Sequence, residues 1–198
     1  MDTKKLIIAG MILVIAFAGM TISRKFMDEE KAANENKSTE QTVLNETWEM
    51  HRIGETGLAL LTPETLKMIP TKLDNKAKET LKSYKSFEFV HNSFGLRINH
   101  IVARNELNAK IYAEQLTKMF EMSSNFLGYK YEITPFEANG RAGTFVKGSA
   151  VQKGVNLEMG SAVFTIDEKL WEVTIQVDSE SEKLKELAEK VFQSIQIQ

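Results

Sequence analysis

Cysteine is absent from the 198 residues. That excludes a disulfide framework, a thiolate metal site and a cysteine nucleophile. It also excludes the lipid anchor of bacterial lipoproteins, which is built on a cysteine. A chain without thiols suits an oxidising compartment, where a stray thiol is a liability. No excess of positive charge is present either. The formal net charge is −2, and a nucleic-acid binder needs a basic surface to neutralise phosphates. The glycines at 140, 143, 148, 154 and 160 form no phosphate-binding loop ahead of a helix, so they read as turns and bulges among strands. No serine stands in a nucleophile-elbow pattern. These absences point away from an enzyme, and no cofactor is expected.

The charge that is present is unevenly placed. Residues 1–27 carry +3 and residues 28–50 carry −5, which leaves the remainder neutral. Residues 6–22 run from Leu6 to Ile22 without a charge, with Lys4-Lys5 before them and Arg24-Lys25 behind. At about 1.5 Å per residue that run crosses a hydrocarbon core of about 30 Å once the flanking lysines snorkel. Two readings of it stay open. One is a retained signal-anchor helix over 1–23. The other is a secretory signal peptide cleaved at the small residues around Ala18. The run continues past Ala18 to Ile22, which favours the anchor. The short basic start places the rest of the chain outside the cytoplasm.

Residues 24–50 are acidic and poor in large apolar groups. They cannot bury enough surface to offset chain entropy and are expected to form a flexible or partly helical tether. A single domain is expected over 51–198. An overall hydrophobic content of 42% with 26% charged residues is enough for an ordinary core there.

Within that domain Gly57–Leu61 reads as a buried strand ended by Thr62-Pro63. Asp74 opens a helix in which Leu73, Ala77, Leu81 and Tyr84 recur at helical spacing. A hairpin follows, Ser86–His91 out and Leu96–Arg104 back, with its tip at 92–95. A long helix runs from an Asn108 cap to Leu127, and Gly128 is placed to close it. Strands are expected at Tyr129–Ile133, Phe145–Val151 and Val155–Ile166. Leu170–Val177 alternates cleanly: Trp171, Val173, Ile175 and Val177 face one way, and Glu172, Thr174 and Gln176 the other. That pattern predicts an antiparallel sheet with one wet or shallowly covered face. Ser179–Glu182 fits a capping box for a last helix with Leu184, Leu187, Ala188, Val191 and Ile195 on its apolar side. The fold class is α+β, an antiparallel sheet flanked by helices.

This order, with Gly57–Pro63 opening, Asn139–Gly143 before a strand, Leu170–Ile175 and the closing Val191–Ile195, resembles the PsbP-like superfamily of α/β/α sandwiches over residues 51–198. The resemblance implies docking, scaffolding or assembly in the envelope more often than catalysis. The lipid anchor of its bacterial members is missing, and the segment 6–22 would replace it. No functional residue of the family carries over.

Candidate chemistry is sparse. His91 and His100 lie on the two arms of the hairpin and could meet across it, but a metal site needs three or four convergent ligands, so no metal is expected. Phe94 at the hairpin tip, beside Arg97 and near His91, is the candidate exposed aromatic contact, since aromatics and arginine dominate hot spots. Met119, Phe120 and Met122 read as core, or as a soft partner-binding groove. The expected function is a membrane-tethered extracytoplasmic domain that docks another envelope protein. The alternatives are an immunity protein against a secreted toxin and a small-ligand or metal carrier.

Overall fold

The computed structural model describes residues 40–91, 93–152 and 154–198. The hydrophobic run 6–22 and the tether up to residue 39 lie outside the described residues. No helix among the described residues is long and apolar enough to cross a membrane.

A helical segment over 40–45 leads into β1 (Trp48–Arg52), β2 (Leu58–Pro63) and β3 (Lys67–Ile69). Next come α1 (Asn75–Thr80), β4 (Leu81–His91), β5 (Phe94–Ala103) and α2 (Ala109–Met122). A four-strand meander follows, β6 (Leu127–Ala138), β7 (Arg141–Gln152), β8 (Val155–Ile166) and β9 (Lys169–Asp178), and then α3 (Glu182–Gln193) and β10 (Gln196–Ile197). The strands form a seven-stranded sheet in the order β3-β4-β5-β9-β8-β7-β6 and a three-stranded sheet in the order β1-β2-β10. Every pairing is antiparallel.

Local chemistry sets the meander. Ala138 pairs with Arg141, leaving Asn139-Gly140 as a two-residue turn with φ of 48° and 76°. Positive φ at both central positions is the type I′ turn whose twist matches the flanking strands, and Asn-Gly is its preferred sequence. The long α2 starts where Asn108 accepts a hydrogen bond from the Ile111 N–H at 3.0 Å, and its stripe of Tyr112, Leu116 and Phe120 is buried.

Three elements differ from the sequence reading. The helix opened by Asp74 ends at Thr80, and Leu81 and Tyr84 belong to β4. Their spacing is compatible with a helix, but both also point into the apolar layer as strand residues. Next, α2 ends at Met122, capped by Ser123. Gly128 does adopt φ of +64°, yet it sits inside β6 at a bulge between Leu127 and Lys130. Finally, α3 is capped by Ser181, whose side chain accepts from the Leu184 N–H at 3.3 Å.

Residues 40–50, expected in the tether, belong to the domain. Val43 is fully buried, and the Trp48 ring packs edge-on against Phe89 at 5.7 Å and Phe94 at 5.6 Å.

The larger correction concerns the sheet faces. Trp171, Val173, Ile175 and Val177 of β9 form the front face with Phe89, Phe94, Leu96 and Ile98. The small sheet and α3 cover it through Leu58, Leu60, Leu184 and Val191. Glu172, Thr174 and Gln176 form the back face, and they too are buried, because α2 lies over them. No wet face exists along β9. The architecture is a three-layer sandwich, with α2 behind, the large sheet in the middle, and α3 with the small sheet in front.

Candidate functional site

The three residues singled out from the sequence do not form one surface. Phe94 is only 1% exposed. Phe94 already pairs with His91 as a strand residue and turns its ring into the front core. An exposed aromatic contact there is ruled out by packing: the ring meets Trp48 and Phe89. His91 is half-buried, with its ring 4.7 Å from that of Phe89. Arg97 points to the back face, where its guanidinium donates to Glu88 at 2.8 Å. His91 pairs with Phe94 and His100 pairs with Lys85, so the two histidines lie at opposite ends of the hairpin. Among the described residues no three His, Asp or Glu side chains converge as metal ligands would.

A polar cluster that the sequence did not announce lies under α2. The Glu172 carboxylate is fully buried. Its Oε2 accepts from the Tyr112 hydroxyl at 2.7 Å and from Asn99 Nδ2 at 3.0 Å, and its Oε1 accepts from the Thr174 hydroxyl at 2.8 Å. Thr174 has one proton, and it goes to Glu172. Ser161 Oγ, 2.8 Å from Thr174 Oγ1, is therefore the donor of that pair. Asn99 Oδ1 accepts from Tyr84 at 2.9 Å and Ser86 at 2.8 Å. Burial, with the Glu172 charge second, pushes the Tyr84 hydroxyl up to about 12, and the same causes hold Tyr112 well above its ordinary value. Both tyrosines therefore stay protonated donors at any physiological pH. The cluster is closed by neutral donors around one carboxylate, so its role is to fix α2 on the sheet.

His100 is a second buried polar group, on the front face against Trp171 at 5.4 Å. Among the described residues neither ring nitrogen has a hydrogen-bond partner. Burial first, and then the Lys85 and Lys169 charges, push it down to about 4.

A concave site lies where α3 crosses the front of β7, β8 and β9. It is a cleft of about 130 Å3. Its floor is Gly160, Ile175 and Val177, and its wall is the Phe145–Phe192 pair, perpendicular at 5.0 Å. Gly160 makes the cleft possible. A Cβ at that position would stand 2.9 Å from both Phe145 and Phe192, closer than real contacts allow, so any side chain there would displace the rings. Ala188 keeps the helix side low as well. The rim carries both signs of charge. Lys185 Nζ lies 2.5 Å from Glu182 and 3.7 Å from Glu158, and the Glu182 hydrogen bond raises its pKa. Lys147 and Glu189 complete the rim. In the sequence the only trace of this site is a glycine in the middle of a strand, a sign of close approach as much as of a bulge.

The arrangement suits recognition of one apolar group. A dry cavity of about 150 Å3 is known to hold benzene, whereas ligand pockets run to about 300–1,000 Å3.

The order of elements defines the class, a three-layer α+β sandwich. Within it, the likeness is to PsbP. The solution structure of cyanobacterial PsbP (CyanoP) from Synechocystis sp. PCC 6803 matches with a TM-score of 0.55 at 11% identity, over 77% of this chain and 93% of that one. The fold is PsbP-like. LpqN, described as involved in cell envelope biogenesis of Mycobacterium tuberculosis, matches with a TM-score of 0.43 at 11% identity, over 88% of this chain and 99% of that one. PA94, a protein of unknown function from Pseudomonas aeruginosa, matches with a TM-score of 0.41 at 12% identity, over 76% and 97%. No protein-family model and no curated protein matches the chain.

Proposed function

We propose that this chain is an extracytoplasmic docking domain, tethered to a membrane by residues 6–22, that captures an envelope protein through the cleft under α3. The observation that carries the reading is the shape of that cleft. It is apolar at the bottom, large enough for one leucine- or phenylalanine-sized side chain, and ringed by Lys147, Glu158, Lys185 and Glu189. An apolar anchor in a pocket with a charged rim is the usual anatomy of a protein hot spot. The PsbP-like fold fits such a role, and the uncharged run 6–22 between basic flanks supplies the tether.

The test is a photo-crosslinking residue placed at Glu189 of the full chain in intact cells. One dominant envelope protein is expected as the adduct. Filling the cleft with Ala188→Leu should abolish that adduct while the melting temperature is kept. An adduct that survives the filling would move docking elsewhere, and a diffuse ladder of adducts would remove the docking reading.

A further inference from the structure

The free edge of the large sheet carries a self-complementary pattern. Among the described residues β6 ends the sheet, with β7 as its one neighbour. The turn at Asn139-Gly140 is closed by Ala138 and Arg141, and such a closing pair exchanges both backbone hydrogen bonds. Counting back by twos, Phe136, Thr134 and Glu132 turn their backbone groups to β7. Pro135, Ile133 and Tyr131 turn theirs outward. Proline, which has no N–H, stands at an outward position where the ladder loses nothing. The open stretch therefore lies between the Gly128 bulge and Pro135.

Strand β6 leaves two large hydrophobic residues exposed, Leu127 at 64% and Tyr131 at 42%. The Tyr131 ring stacks on Tyr129 at 5.6 Å. Its charges alternate in sign, Lys130 then Glu132, on the front side of the strand.

We propose that β6 pairs antiparallel with β6 of a second copy of this chain, about a two-fold axis through Tyr131. In that register Tyr131 meets its own counterpart, Lys130 faces Glu132 of the second copy, and Glu132 faces Lys130 of the second copy. The next registers that keep outward residues opposite one another place Glu132 on Glu132 or Lys130 on Lys130, so charge selects the central one. Lys147 of β7 already stands beside Glu132, which extends the row of alternating charge across the junction. The Gly128 bulge and Pro135 end the ladder on both sides, so the pairing stops at two copies.

This inference is independent of the docking cleft. The chain has no cysteine, so Tyr131→Cys in the full chain is its single thiol. In the two-fold register the paired Cα atoms stand about 5.5 Å apart, within disulfide reach. Mild oxidation of the purified full chain in detergent is expected to give a disulfide dimer well above that of Glu79→Cys, an exposed control on α1. Lys130→Glu or Glu132→Lys, added to Tyr131→Cys, sets like charges at both symmetric contacts and should lower the dimer on the order of tenfold. Combining the two reversals restores opposite signs and should restore the dimer. All three positions are exposed, so loss of fold does not explain a loss of dimer. Equal dimer from Tyr131→Cys and Glu79→Cys would overturn the proposal. So would single reversals without effect, or a double reversal that stays low.

Discussion

The two faces of the large sheet are built from alternate residues of the same strands, yet they are held by different physics. The front is apolar: Trp171, Val173, Ile175 and Val177 meet α3 and the small sheet, and burial of area supplies the attraction. The back places Glu172, Thr174, Asn99 and Tyr112 in one hydrogen-bonded cluster between apolar patches at either end of α2. Apolar burial is tolerant of direction. A buried carboxylate is not, because each of its partners must arrive with a proton at the right place. The front therefore provides most of the adhesion, and the back fixes where α2 sits.

Substitutions can break this contrast in order of expected effect. Trp171→Ala removes the largest fully buried side chain of the front together with its indole hydrogen bond to the Thr56 carbonyl at 2.8 Å. It should cost about 3–5 kcal/mol, read as a lower denaturant midpoint. Glu172→Gln keeps the volume of the back cluster but turns one acceptor into a donor facing other donors. A cost of about 2–3 kcal/mol is expected in the same measurement. A cost below about 0.5 kcal/mol would show that the cluster is incidental.

The smallest effect comes from His100. Its folded-state pKa of about 4 lies below the ordinary 6.5. The unfolded chain therefore takes up the proton first as pH falls. Stability is complete above about pH 6.5 and is lost progressively down to about pH 4, by about 1–2 kcal/mol at pH 5 relative to pH 7. His100→Leu should remove that part of the pH dependence, checked by urea midpoints at the two pH values.

The sequence made the alternation of β9 legible and assigned each residue to its correct side. It did not reveal that the polar side is buried. The groups that satisfy Glu172 come from Asn99, 73 positions away, and Tyr112, 60 positions away. No local pattern announces such partners, so solvent is the default expectation for a Glu-Thr-Gln stripe. Phe94 failed for a smaller reason. Pairing with His91 makes a strand residue of the expected tip residue, and strand parity then decides that it faces inward. The helix assigned through Leu81 and Tyr84 failed because spacings of four and three fit a helix, while tertiary pairing with β5 drew both residues into a strand. Asn108 was read correctly because capping is a local event.

The strand order has a consequence for how the chain is made. Among the described residues β9 lies between β5 and β8 and is the only bridge joining the β3-β4-β5 group to β6, β7 and β8. It emerges after all of them. Until it arrives, a nascent chain holds two separate half-sheets, each with a sticky border open to neighbours. Their union is a late, non-local step of the kind that slows maturation. A helper that shields unpaired borders would therefore act before β9 slots in and be dispensable afterwards.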